Sequence, residues 1–245
     1  MKTYGLIGRN ISYSFSKKYF TEKFEKENIS AEYLNFDLAD LDQLGQILKE
    51  NPEISGFNVT IPYKELIIPY LDELDPVARE IGAVNTIKID KEGKLTGFNT
   101  DHFGFVNSLK PFLDNNHSHA LILGTGGASK AVAYGLEQMG IRYKFVSRKA
   151  QNGTLDYNSL SAEEFTTYTL IINCTPLGTY PEITSSPPIP TDHITPRHVV
   201  FDLIYNPPVT QLMKLAGEKG ARTINGFHML ELQAQKSWEI WNEGY

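Results

Sequence analysis

The 245-residue chain is long enough for one large domain or two modest ones. A hydrophobic share of 41% and an aromatic share of 11% describe a packed protein, and a net charge of −6 argues against a nucleic-acid partner. The lone cysteine, Cys174, excludes an internal disulfide and fits a reducing compartment, and six histidines without ligand spacing leave no legible metal site. In chain order, residues 4–8 read as a buried strand ending in glycine. Phe15, Tyr19, Phe20 and Phe24 then recur at helical spacing. Residues 31–38 alternate like a strand, and Leu41, Leu44, Ile47 and Leu48 mark a second helix. A third strand over 56–61 is stopped by Pro62, with a short helix beyond, and Pro76 suits the first turn of another. Residues 84–90 and 95–99 flank a turn and predict a hairpin.

A helix over about 100–112 leads into the stretch that organises the rest, Leu121-Ile122-Leu123-Gly124-Thr125-Gly126-Gly127-Ala128-Ser129. An apolar strand runs into glycines, the glycines into a helix ending near Met139, and the helix into a second strand. That order makes a glycine fingerprint a dinucleotide signal rather than an isolated turn. Gly124 permits the tight turn and Gly126 a close backbone approach to a pyrophosphate. The third fingerprint position holds Ser129 instead of Gly or Ala. Where an NAD site places an acid to hold the ribose, this chain has Ser147, Arg148 and Lys149. A guanidinium there can fork onto a 2′-phosphate, so the expected cofactor is NADP(H). A solvated basic strand end is the plainer alternative.

Beyond the fingerprint come a weak helix near Ser161, a strand over 169–175, a proline-rich loop to Pro190 and a strand over 199–205. Pro207 and Pro208 read as the opening of the next helix, and residues 221–224 as a last strand. Leu230, Trp238 and Trp241 lie on an amphipathic C-terminal helix. The sequence starts without the apolar core of a signal peptide, and no apolar run approaches the ~20 residues of a membrane span, so a cytoplasmic location and no membrane partner are expected. The expected fold is α/β, with two units and a ligand in the cleft between them.

Several polar residues sit where strands end. Asn58 and Thr60 share one face of a strand, and Lys64 follows on the constrained turn after Pro62. Asp101 opens a helix, where an acid is also ordinary capping chemistry. Asn-Val-Thr-x-Pro-x-Lys (58–64), Gly-Ala-Val-Asn-Thr (82–86), Gly-x-Asn-Thr-Asp (97–101) and Gly-x-Gly-Gly-Ala (124–128) occur in order. Asn-x-Thr-Pro-Leu-Gly (173–178), Asp-x-x-Tyr-Asn-Pro (202–207) and Gly-x-x-Met-Leu-x-x-Gln-Ala (226–234) follow. With paired serines near the N-terminus, this series resembles the shikimate dehydrogenase family nearly end to end.

The resemblance implies an N-terminal open α/β substrate-binding domain, residues 1–100 plus 228–245, and a Rossmann-type NADP-binding domain, residues 101–227. It implies NADPH-dependent reduction of 3-dehydroshikimate to shikimate, a step towards chorismate and aromatic amino acids. Lys64 and Asp101 stand at the family's catalytic pair. Ser12 and Ser14 stand at the contacts to the substrate carboxylate, facing one way if extended. Asn58, Thr60, Asn85, Asn99 and Gln233 match contacts to ring hydroxyls, with Tyr205 close by. Gly124, Gly126, Gly127, Ala128 and Ser129 form the phosphate loop, and Ser147, Arg148 and Lys149 the 2′-phosphate end. Cys174, Thr175 and Gly226 border the nicotinamide, Cys174 as wall rather than nucleophile. Ile11 and Phe15 depart from the family's usual His and Pro, which removes the proline that fixes the loop's exit. Family members occur as monomers and homodimers. The rival readings are a broader quinate/shikimate dehydrogenase and a dehydrogenase-like regulator that binds ligand without turnover.

Overall fold

The computed structural model describes residues 1–12, 14–149 and 153–242, and the chain divides into two compact units, Met1–Thr100 with Ala234–Tyr245, and Asp101–Gln233. Tyr13, in the polar stretch after the first strand, lies outside the described residues. Among the described residues no helix is long and apolar enough to cross a membrane, and no group of three His, Cys, Asp or Glu could hold a metal ion.

The first unit contains strands β1 (Lys2–Gly8), β2 (Ala31–Asp37), β3 (Ile54–Val59), β4 (Glu73–Leu74), β5 (Thr86–Ile89) and β6 (Leu95–Phe98). They form one sheet in the order β2-β1-β3-β5-β6-β4. β1 runs parallel to β2 and β3, whereas β5 is antiparallel to both β3 and β6, the latter pair being the hairpin. Because side chains alternate, each strand feeds two cores. Ile7, Phe57, Val59 and Ile87 pack on one side with α3 (Tyr63–Leu66), α4 (Pro76–Ile81) and residues of α2 (Leu44–Glu50). Tyr4 and Leu6 pack on the other, with Phe20 and Phe24 of α1 (Phe15–Lys26) and Trp241 near the end of α9 (Phe227–Asn242). Tyr4 stacks on Trp241 with ring centroids 4.6 Å apart, and Phe20 on Tyr33 at 4.7 Å. A Cβ on Gly56 would lie 2.3 Å from the Trp241 Nε1, so β3 admits the indole only at a glycine.

The second unit holds β7 (His119–Leu123), β8 (Arg142–Ser147), β9 (Leu155–Asp156), β10 (Leu170–Asn173), β11 (Val199–Asp202) and β12 (Arg222–Asn225). All are parallel, in the order β12-β11-β10-β7-β8-β9. Counted from β7 as first, that is 3-2-1-4-5-6, the arrangement of dinucleotide-binding sheets, with its switch point between β7 and β10. The core strands are nearly all apolar because both faces are covered. Helices α5 (Asp101–Leu109) and α6 (Gly127–Gln138) cover one face, α7 (Ala162–Thr167) and α8 (Gln211–Glu218) the other. One expected boundary differs. Pro207 and Pro208 lie in the loop before α8, which starts at Gln211 under a Thr210 cap that accepts from the Met213 N–H. A hydroxyl at the N-cap satisfies an orphan N–H, which proline at the mouth of the helix cannot do.

Candidate active site

In the first unit, the candidate residues gather around the carboxyl end of β3. Lys64 is half-buried on α3, a four-residue helix held from two sides. The buried Tyr63 donates its hydroxyl to the Leu38 carbonyl (2.6 Å), and the Lys64 carbonyl accepts from the Val84 N–H (2.7 Å). Thr60, half-buried at the turn, donates its N–H to Ile7 and accepts from the Tyr63 N–H. The ammonium therefore rides on a turn whose backbone has little freedom.

Asn58, Asn85 and Asn99 are all nearly inaccessible, at 4%, 2% and 4% exposure. Asn58 Oδ1 accepts from the Tyr33 hydroxyl (2.8 Å), and its Nδ2 donates to Ser237 Oγ (3.0 Å), the Asn85 carbonyl and Thr86 Oγ1. Asn85 Oδ1 accepts from the Thr100 N–H (2.7 Å) while its Nδ2 reaches Thr100 Oγ1 (2.9 Å). The amide thus takes up an N–H at the mouth of α5, immediately before Asp101. Asn99 donates to the Ala83 carbonyl (2.9 Å).

Ser14 holds extended backbone, φ −63 and ψ 121, at the N-cap of α1. Ser14 N–H bonds back to the Ile11 carbonyl (3.1 Å), closing a turn, and Ser14 Oγ caps α1 by accepting from the Lys17 N–H (3.2 Å). The cap does the job expected of the missing proline: Phe15 occupies the first position of α1, where a proline is tolerated, and the helix start is fixed through Ser14 instead. Ile11 is buried in the aromatic core, and its backbone is pinned by Asp37 and Asn35.

In the second unit, Asp101 is the first residue of α5, 5% exposed, and a carboxylate there is favoured by the helix dipole. Gln233 Nε2 donates to the Leu230 carbonyl (2.9 Å). The glycine turn follows β7. Gly124 has φ +101, a conformation open to glycine, and Gly126 precedes α6 in extended backbone. A Cβ on Gly126 would meet nothing within 4 Å, so the space in front of the helix N-terminus is open. Gly127 and Ala128 continue that small surface, and Ser129 turns inward, fully buried, with its hydroxyl on the Gly126 carbonyl (2.6 Å). The departure at the third fingerprint position is thus absorbed by the turn's own backbone.

Past β8, Ser147 Oγ bonds to the Lys149 carbonyl, and Arg148 and Lys149 are exposed. At the switch point, β10 ends in Asn173, which pairs in register with Asp202 of β11. Asp202 is fully buried and accepts from Asn173 Nδ2 (3.0 Å), the Ile204 N–H (3.1 Å) and Thr210 Oγ1 (2.6 Å). Desolvation outweighs those donors and pushes its carboxyl up to about 6. Asn173 Oδ1 in turn holds the Thr175 N–H and hydroxyl. Burial, with the Asp202 charge adding to it, drives the Cys174 thiol above its ordinary range and so favours the neutral thiol over the thiolate. Burial also raises Tyr205. Gly226 is fixed by contact: a Cβ there would lie 2.0 Å from the Leu203 carbonyl oxygen.

An open glycine turn at the switch point of a parallel sheet can seat a dinucleotide, and the clustered amides and lysine can bind a small polyhydroxylated ligand. Sequence comparison gives the family. The shikimate dehydrogenase substrate-binding domain matches residues 6–87. A shikimate dehydrogenase (NADP(+)) of Clostridium botulinum is 39% identical over 252 residues, covering 98% of this chain and 96% of its own. The chain belongs to the shikimate dehydrogenase family. A shikimate dehydrogenase (NADP(+)) of Methanosphaera stadtmanae is 36% identical, covering 96% of this chain and 89% of its own. The crystal structure of shikimate 5-dehydrogenase from Thermus thermophilus, in complex with NADP(H) and shikimate, matches with a TM-score of 0.87 at 30% identity, covering 99% of this chain and 94% of that one.

For a shikimate dehydrogenase, several supporting residues escape a reading of the sequence. Tyr33, Thr86, Thr100 and Ser237 in the first unit, and Asp202 with Thr210 in the second, hold the candidate groups without being candidates themselves. Thr86, Thr100 and Asp202 fall inside quoted motifs, which is a usable signal. Tyr33 and Ser237 carry none, each being one of several polar residues in its strand or helix.

Proposed function

We propose that this chain is an NADP(H)-dependent shikimate dehydrogenase that reduces 3-dehydroshikimate to shikimate and works in the cytoplasm. The observation that carries the reading is the dinucleotide strand order with its open glycine turn, in a member of this family. The residues at that turn fit the cofactor: Gly126 leaves room for a pyrophosphate at the N-terminus of α6, next to the small Gly127 and Ala128, and exposed Arg148 offers a fork for the 2′-phosphate. The nicotinamide supplies the hydride.

In this reading Lys64 and Asp101 are the catalytic pair. Hydride arriving at the ketone carbon builds negative charge on its oxygen, and the Lys64 ammonium stabilises that charge and delivers the proton. The Asp101 carboxylate accepts a hydrogen bond from the product hydroxyl. Ser12 and Ser14 donate to the substrate carboxylate; Ser14 keeps its hydroxyl proton for this, because the cap uses only its lone pair. Thr60, Asn58, Asn85, Asn99 and Gln233 meet the ring hydroxyls beside Tyr205. Cys174, Thr175 and Gly226 form the wall at the nicotinamide end.

The test is NADP-dependent oxidation of shikimate by the wild-type chain and by Lys64→Ala. The variant should lose about 10²- to 10⁴-fold in kcat while its shikimate KM stays near wild type. A wild-type protein that binds shikimate and NADP without turnover would be a ligand-binding regulator instead.

A further inference from the structure

Asn58 belongs to a buried network of hydrogen bonds in which the Tyr33 contact orients its amide. Tyr33 O–H has Asn58 Oδ1 as its acceptor at 2.8 Å, and the Ser16 side chain bonds to the same phenol oxygen. That contact fixes which end of the Asn58 amide is oxygen. Asn58 Nδ2 then donates to Ser237 Oγ at 3.0 Å, and Ser237 Oγ lies within hydrogen-bond distance of Thr86 Oγ1 (2.7 Å) and Thr100 Oγ1 (3.2 Å). Thr86 passes its own proton to Asn85 Oδ1 at 3.1 Å, the oxygen that also takes the Thr100 N–H. Tyr33, Thr86, Thr100 and Ser237 are at most 3% exposed, so water does not compete for these links.

The donor count at Asn58 is closed. Its two amide protons face three protein acceptors, and one of the two Oδ1 lone pairs is taken by Tyr33. What the residue still has to offer is the second lone pair. We propose that Tyr33 and Ser237 are positioning residues that lock the Asn58 amide so that it presents a single acceptor, selecting a substrate hydroxyl as hydrogen-bond donor at that point. A carboxylate or ketone oxygen set there would face an oxygen with no proton between them. The inference rests on the proposed function, in which Asn58 belongs to the substrate site.

Tyr33→Phe keeps the ring stacked on Phe20 and removes only the hydroxyl; Ser237→Ala removes only the Oγ. Each should raise the KM for shikimate about five- to tenfold while the KM for NADP and the melting temperature stay close to wild type. A purely structural role would move the melting temperature and both KM values together, which would overturn the assignment. Mono-deoxy analogues of shikimate read the polarity directly. One of them should bind about tenfold more weakly than shikimate to the wild-type protein, and Asn58→Ala should erase that difference. If Asn58→Ala keeps the wild-type preference against every analogue, Asn58 takes no substrate hydroxyl and the inference falls, with shikimate oxidation still standing. Absence of shikimate oxidation by the wild-type protein would remove the proposed function and this inference with it.

Discussion

Asp202 makes the stability of the second unit depend on pH in a direction opposite to the usual one for a carboxylate. Its folded value of about 6 lies above the ordinary 3.8, so between those limits the folded state holds a proton that the unfolded state has lost. Stability therefore falls as pH rises through this window. At 1.36 kcal/mol per pH unit the loss approaches about 3 kcal/mol by pH 7, about 10 °C in melting temperature for a unit of this size. Asp202→Asn removes the titration and keeps the geometry. The amide oxygen still accepts from Asn173 and Ile204, and the new NH₂ donates to Thr210 Oγ1. The stability of the variant relative to wild type should climb by about 2.4 kcal/mol from pH 4 to pH 7. Far-UV circular dichroism in urea at several pH values is the assay, because both tryptophans, Trp238 and Trp241, belong to the first unit and report on that unit. A stability difference that stays flat across the window would refute the reasoning.

The three remaining predictions concern the cofactor side. Gly126→Ala should fold with wild-type stability, since its Cβ enters open space, yet weaken NADPH binding at least tenfold by calorimetry. Gly226→Ala should do the reverse first, costing about 3 kcal/mol or more in unfolding experiments, because the Leu203 backbone cannot retreat from a carbon 2.0 Å away. Arg148→Ala should weaken NADPH about tenfold or more with little change for NADH, so an unaltered ratio of the two KM values would contradict the 2′-phosphate assignment.

Fold class was legible because apolar periodicity is a strong signal over long elements. The strand–glycine–helix run at 119–138, the buried run of β1 and the alternation of β2 needed no further information. The two-residue strands β4 and β9 were not visible, since two residues carry no period. The start of α8 was misplaced because proline marks a helix mouth only where no better cap follows, and Thr210 follows. The site was legible in part. Lys64, Asp101 and the asparagines stand out by motif, but the network that orients them joins residues remote in sequence. Ser237 and Asn58 are 179 positions apart, and a lone serine among Ala234, Trp238 and Trp241 reads as a tolerated polar residue in an apolar stripe. The cap at Ser14 was hidden for another reason: one serine serves both as helix cap and as proposed ligand donor, and local chemistry alone does not separate the two uses.

The last turns of α9 set the order in which the newly made polypeptide can acquire its shape. Trp241 is 1% exposed, stacks on Tyr4 and gives its indole N–H to the Ile87 carbonyl, so a wall of the first unit's sheet is built from residues translated after the whole of the second unit. The segment 101–233 is continuous and leaves the ribosome whole, free to form its parallel sheet early. Residues 1–100 precede that segment and are completed only after it, with Tyr4, Leu6 and Phe20 uncovered until α9 arrives. For that interval the nascent chain carries an aromatic surface of the kind that chaperones guard.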